Sequence, residues 1–155
     1  MQEAAENEME IHDDSPEAVE VALEFMYTLN YDQTIEPKAP KDDKIQRAQL
    51  AMDVYAVADK YRITHLLPSA AEDFRKVFSN TIDEQAIEAI IRAHYDINTQ
   101  CGHAIGELIA ATVAQNHCFF RRKDGFTALL RTVPGFASDI ALYAHEKGMF
   151  KEYQF

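Results

Sequence analysis

Apolar positions recur at helical spacing along most of this chain, broken by capping and turn residues at regular intervals. Met9 to His12 alternate apolar and polar, which suits one short strand. Ser15 then precedes Pro16, an N-cap hydroxyl followed by a residue whose missing N–H costs nothing in a first turn. Asp13, Asp14 and Glu17 complement the positive end of the helix they introduce. That helix is expected from Pro16 to about Leu29. Glu17, Glu20, Glu24 and Thr28 form its polar stripe, and Ala18, Val19, Ala22, Leu23, Met26 and Leu29 form the opposing apolar face. Asn30, Tyr31 and Asp32 end it, and residues 32–44, with Pro37, Pro40 and several charges, read as a loop.

A second helix is expected from about Lys44 to Tyr61. Its polar stripe (Gln49, Asp53, Lys60) is narrow, so it should be packed on several sides. A third begins near Thr64 or Pro68 and runs to Ser79. Its buried set is Leu66, Leu67, Ala71, Phe74, Val77 and Phe78. Val54, Tyr55, Ala58, Leu66, Ala71 and Phe74 are expected to bury against the first helix. Thr81 and Glu84 fit a capping box opening a helix to about Tyr95, with Ile87, Ile90, Ile91 and His94 on one face. A break at 98–102 precedes a helix from His103 to Phe120. A short helix around Phe126, Leu129 and Leu130 ends near Thr132. Pro134 opens a last helix with Phe136, Ala137, Ile140, Ala141 and Ala144 facing in, and Gly148 is its C′ residue. The pattern predicts at least six helices and no sheet beyond two or three short strands. The fold class is therefore mostly α with an α+β remnant.

Composition narrows the function more than the fold. The 155 residues carry a net charge of −11, and 47% of them are apolar. Residues 1–37 hold all of that excess, with eleven carboxylates and no Lys or Arg. Residues 1–8, charged and aperiodic, read as a disordered acidic N-terminus. Nucleic-acid binding needs a concentrated basic face, and only Arg121-Arg122-Lys123 resembles one; cations at a helix C-terminus explain it better. No apolar run approaches a membrane span. Two cysteines make no disulfide framework, which points to a reducing compartment, cytoplasm or nucleus.

Chemistry is sparse. Neither a G-x-S-x-G elbow nor a phosphate-binding glycine loop is present. Cys101, His103, His117 and Cys118 are the one set that could suit tetrahedral zinc, and they define the competing reading of a small metal protein or enzyme. Placed on a single helix, the two cysteines would stand about 25 Å apart, too far for one ion. No cofactor or metal is therefore expected. The stripe Glu17, Glu20, Glu24 reads as a solvated face, and the aromatics Phe25, Tyr27, Tyr31, Tyr55 and Tyr61 as packing residues.

Two segments carry a family resemblance. Ile11-His12-Asp13-Asp14-Ser15-Pro16-Glu17-Ala18-Val19, continuing into Leu23-Glu24-Phe25-Met26-Tyr27-Thr28 and Tyr31-Asp32, resembles the middle of a BTB/POZ domain. In that family a short strand precedes a "D-x-P-E-A" helix start and a "L-x-F-x-Y-T" helix end. The family's later "A-x-K-Y" helix end is matched by Ala58-Asp59-Lys60-Tyr61. The leucine-bearing helix that follows is matched by Leu66 to Phe78, with Phe74 among its aromatics. Residues 126–139 resemble the helical tail of many fungal BTB proteins. The resemblance implies a partial BTB/POZ-like domain over 9–79 and a helical C-terminal extension over 80–155. Only ten residues precede Ile11, where the family has strands and a helical hairpin, so it also implies a truncated domain. The implied function is a non-catalytic protein–protein interaction module, as in ubiquitin-ligase adaptors or transcription-related scaffolds. The implied partners are proteins, a cullin-type scaffold or a second copy.

Overall fold

The computed structural model describes residues 13–97, 103–117 and 120–150. Eight α-helices and two short helical turns make up the architecture of these residues, and no strand occurs among them. The strand expected at Met9–His12 and the acidic segment 1–8 lie outside the described residues.

Helix α1 (Pro16–Thr28) starts as its sequence dictates. The Ser15 hydroxyl accepts from the Ala18 amide at 3.4 Å, with Pro16 in the first turn. It stops one residue earlier than expected. Leu29 takes a left-handed conformation (φ 53°) and its amide closes on the Phe25 carbonyl at 2.7 Å. Glycine usually fills this place, because a side chain there costs of order 1 kcal/mol.

Residues 32–44 are not wholly loop. Asn30 does not merely end α1; its Oδ1 accepts from the Gln33 amide at 3.1 Å and caps a five-residue helix, α2 (Tyr31–Ile35). So short a helix has no periodicity to read, and Pro37 masks it.

Helices α3 (Lys44–Lys60) and α4 (Leu67–Ser79) pack side by side as the spine of the molecule. Helix α3 is enclosed on more than one side between Arg47 and Ala58, with Gln49 left exposed on the narrow polar stripe. Two apolar clusters form on either side of it. One holds Val21 and Phe25 of α1, Tyr31 and Ile35 of α2, Val54 and Leu66. The other joins Met52, Phe74 and Phe78 to α5 (Glu84–Arg92), α6 (His103–Asn116), α7 (Asp124–Thr132) and α8 (Pro134–Glu146).

Four local expectations need correction. The buried face of α1 is Ala18, Val21, Ala22 and Phe25; Leu23, Met26 and Leu29 are exposed. The helix carries two apolar arcs. The one with the large Phe25 and the small alanines wins, since alanines admit a close approach and Phe25 buries the most area. Of the side chains expected against α1, Val54, Ala58 and Leu66 share its cluster. Phe74 is fully buried but belongs to the other cluster, stacked on Phe78 at 5.5 Å, and Ala71 is only half-buried. The cap of α5 is Asp83, whose Oδ2 accepts from the Ala86 amide at 2.9 Å. The Thr81 hydroxyl instead donates back to the Val77 carbonyl and finishes α4. In α8, Phe136 is buried and Ala137, Ile140 and Ala144 are half-buried, but Ala141 faces solvent.

The C-terminal half otherwise follows its signals. Helix α5 passes into a π-helical turn over Ala93–Ile97, and α6 stops at Asn116, short of Phe120. A 3-10 turn over Phe120–Arg122 puts Arg121 and Arg122 at a short helical end. Helix α7 ends at Thr132, Pro134 opens α8, and Gly148 sits just past its end with φ 62°. Among the described residues, no helix is long and apolar enough to cross a membrane.

Candidate interaction surface

Asp14, Lys60 and Tyr61, from the two separate motifs, meet. Asp14 Oδ2 accepts from Lys60 Nζ at 2.9 Å and from the Tyr61 hydroxyl at 2.8 Å. The chain entering α1 is thereby tied to the end of α3. The hydrogen bond from Lys60 holds the Asp14 carboxyl below the usual carboxylate range and raises Lys60, while the separate bond from its own hydroxyl to Asp14 raises Tyr61. Ala18 and Ala58 are fully buried in one cluster with Phe25, Tyr31 and Leu66. Pro16, Glu17, Thr28 and Asp59 are exposed, and so are Tyr27 and Tyr61, which their helical spacing alone places among the packing aromatics. The Glu17 carboxylate accepts from the Ser15 hydroxyl at 3.2 Å.

The outer face of α1 is unusual for an acidic helix. Leu23 and Met26 are each 50% exposed, Tyr27 is 90% and Leu29, just past the end, is 72%. Positions 23, 26 and 27 fall at i, i+3 and i+4, so they form one strip. Glu17, Glu20 and Glu24 run directly beside it. Lys38 reaches Glu20 at 3.5 Å and Glu24 at 3.3 Å, which leaves the flank net negative.

At its C-terminal end the strip runs into a groove of about 770 Å³, lined by Leu29, Asp32, Lys41, Lys44, Lys76 and Asn80 among others. Beneath it lies an ionic network that periodicity alone does not reveal. Arg47 is fully buried in the first turn of α3. Its Nε and Nη2 donate to both oxygens of Asp73 at 2.7 and 3.2 Å. Its Nη1 donates to Glu36 at 2.9 Å and to the Ala39 carbonyl at 2.8 Å. The Tyr31 hydroxyl adds a third bond to Asp73, at 3.0 Å. Burial acts to lower Arg47, but the bidentate bond and charge of Asp73 outweigh it and leave it raised. Burial, then the Asp73 charge, pushes the Tyr31 phenol far up, so it stays a donor. The network locks α2, the 36–39 turn, α3 and α4 together below the groove.

Among the described residues, no three His, Cys, Asp or Glu side chains gather where they could hold a metal ion. Cys101 and Cys118 lie outside the described residues, and His103 is placed only as the first residue of α6. His117 is buried, its Nε2 hydrogen-bonded to the Phe78 carbonyl at 3.0 Å and its ring edge-on to Phe78. Burial lowers its imidazole. His94 is buried with no partner on Nδ1, and desolvation lowers it to about 4, so it is neutral near pH 7.

No family model, no curated protein and no solved structure matches this chain. The reading of its surface therefore rests on the residues themselves. Arg47 and Asp73 lie within amphipathic helices, where spacing alone assigns a charged residue to the solvated face. Only the unusually narrow polar stripe of α3 hinted that something charged there was enclosed.

Proposed function

We propose that this chain is a non-catalytic protein–protein interaction module of the BTB/POZ type, and that the outer face of α1 is its recognition surface. The observation that carries the reading is the exposed strip Leu23, Met26, Tyr27 and Leu29. Apolar anchors at i, i+3 and i+4, one of them aromatic, are the arrangement by which one helix docks into a partner's groove. The D-x-P-E-A start and the A-x-K-Y end support the family part of the reading, and the tie from Asp14 to Lys60 and Tyr61 gives both motifs a shared structural task. Roles as a ubiquitin-ligase adaptor or a transcription-related scaffold follow from that resemblance, with a cullin-type scaffold among the partners and the cytoplasm or nucleus as the compartment. The carboxylates of Glu17, Glu20 and Glu24 beside the strip favour a basic partner over a second copy, whose identical flank would repel.

The test is a paired affinity capture from the source cells, with wild type and the double variant Leu23→Ser, Tyr27→Ser as baits. Both side chains lie outside the core, so the melting temperature should move by no more than about 2 °C. A discrete set of proteins held by the wild type should fall at least about tenfold on the variant. An identical set on both baits would refute the assignment of the surface.

A further inference from the structure

A second groove, of about 490 Å³, lies between α4, α6 and α8 and shares no residue with the α1 strip. Its lining is mostly apolar, with Ala71, Leu108, Ala111 and Leu142. Three carboxylates, Glu107, Asp139 and Glu146, stand on it against one cation, Lys147. That cation sits over the Tyr143 ring at 5.8 Å.

The position of Asp139 is built rather than incidental. The Tyr95 hydroxyl donates to its Oδ2 at 2.6 Å, leaving the rest of the carboxylate to face the groove. Gly106 lies inside α6, where glycine costs about 1 kcal/mol against alanine. A Cβ there would collide with Asp139 Oδ2, and a Cβ at Gly135 would stand 2.9 Å from the Tyr95 ring. Two glycines thus make room for one tyrosine–aspartate pair at the groove wall. Leu142, 58% exposed, supplies an apolar edge next to it.

We infer that this groove binds a basic amphipathic segment of a partner protein, with an apolar side chain against Leu108 and Leu142 and a lysine or arginine on Asp139 and Glu146. Charge complementarity selects this occupant. The wall is net negative over an apolar floor, and long cationic side chains lay their methylene stems on such surfaces while the charge stays at the rim. The inference does not depend on the reading of α1.

The probe is a fluorescein-labelled 14-residue peptide of leucine and lysine in amphipathic helical register, with a glutamate-for-lysine counterpart. Binding is followed by fluorescence anisotropy at low and high salt. The Leu23→Ser, Tyr27→Ser background removes any contribution from α1. In that background the lysine peptide should bind and the glutamate peptide should not. Leu142→Lys, and separately Glu107→Gln with Glu146→Gln, should each weaken binding about tenfold. Asp42→Asn with Asp59→Asn, which removes the same charge elsewhere, should leave it unchanged. Equal loss in the groove variant and this remote control would mean diffuse attraction to an acidic protein and overturn the inference. So would unchanged binding in Leu142→Lys. A concentration-dependent dimer in sedimentation, abolished by Leu142→Lys, would make the occupant a second copy and overturn it as well.

Discussion

Replacing Arg47 by methionine is expected to cost about 3–5 kcal/mol of folding stability. The guanidinium is fully buried and makes two bonds to Asp73, one to Glu36 and one to a backbone carbonyl. Methionine fills much of the volume but leaves the Asp73 carboxylate buried with only the Tyr31 hydroxyl to bond it. That stranded charge, rather than any lost attraction, is the main expense. The double variant Arg47→Met, Asp73→Asn removes the charge and keeps an acceptor for Tyr31, so it should recover more than half of the loss. Urea denaturation of the three proteins reads both effects, with the single variant's midpoint lower by about 2 M. A loss below about 1 kcal/mol in the single variant would mean that water reaches Asp73 and that the network does not hold α2, α3 and α4 together.

Phe74→Ala should cost a similar amount, about 3–5 kcal/mol, for an apolar reason. Its ring is fully enclosed and stacked on Phe78, which in turn meets His117 edge-on. Removing it opens a cavity in the cluster that joins the spine to α5 through α8, and rigid helices on several sides limit how far that cavity can collapse. The loss should appear in equilibrium unfolding with the far-ultraviolet helix signal of the folded state retained. A change within the range of surface substitutions would place Phe74 outside the core.

These two residues also show where sequence reading succeeds and stops. Phe74 was legible as buried, because a large aromatic on the apolar arc of an amphipathic helix has few other places to go. Its neighbours were not legible. The spacing that puts it inside says nothing about which of two clusters receives it. Local signals survived best: Ser15 before Pro16, Pro134 and Gly148 each act within one turn of chain, and the structure uses each as its chemistry dictates. Features that depend on distant partners were hidden. Arg47 and Asp73 are 26 residues apart, and Asp14 is 46 from Lys60. The rotation of α1 failed for a related reason. Two apolar arcs compete on one short helix, and the fit against α2 and α3, distant in the spacing pattern, decides between Phe25 and Leu23.

The same rotation exposes the strip on which the interaction reading depends, so the most direct test is at its most exposed side chain, Tyr27. With Tyr27 replaced by the photoreactive benzoylphenylalanine, full-length protein is irradiated in the source cells beside a control carrying the same group at Thr127, an exposed position on α7. A discrete cross-linked partner is expected at position 27, absent at position 127 and lost when Leu23→Ser is added. No adduct at position 27, or the same adducts at both positions, would mean that the outer face of α1 is not a recognition surface.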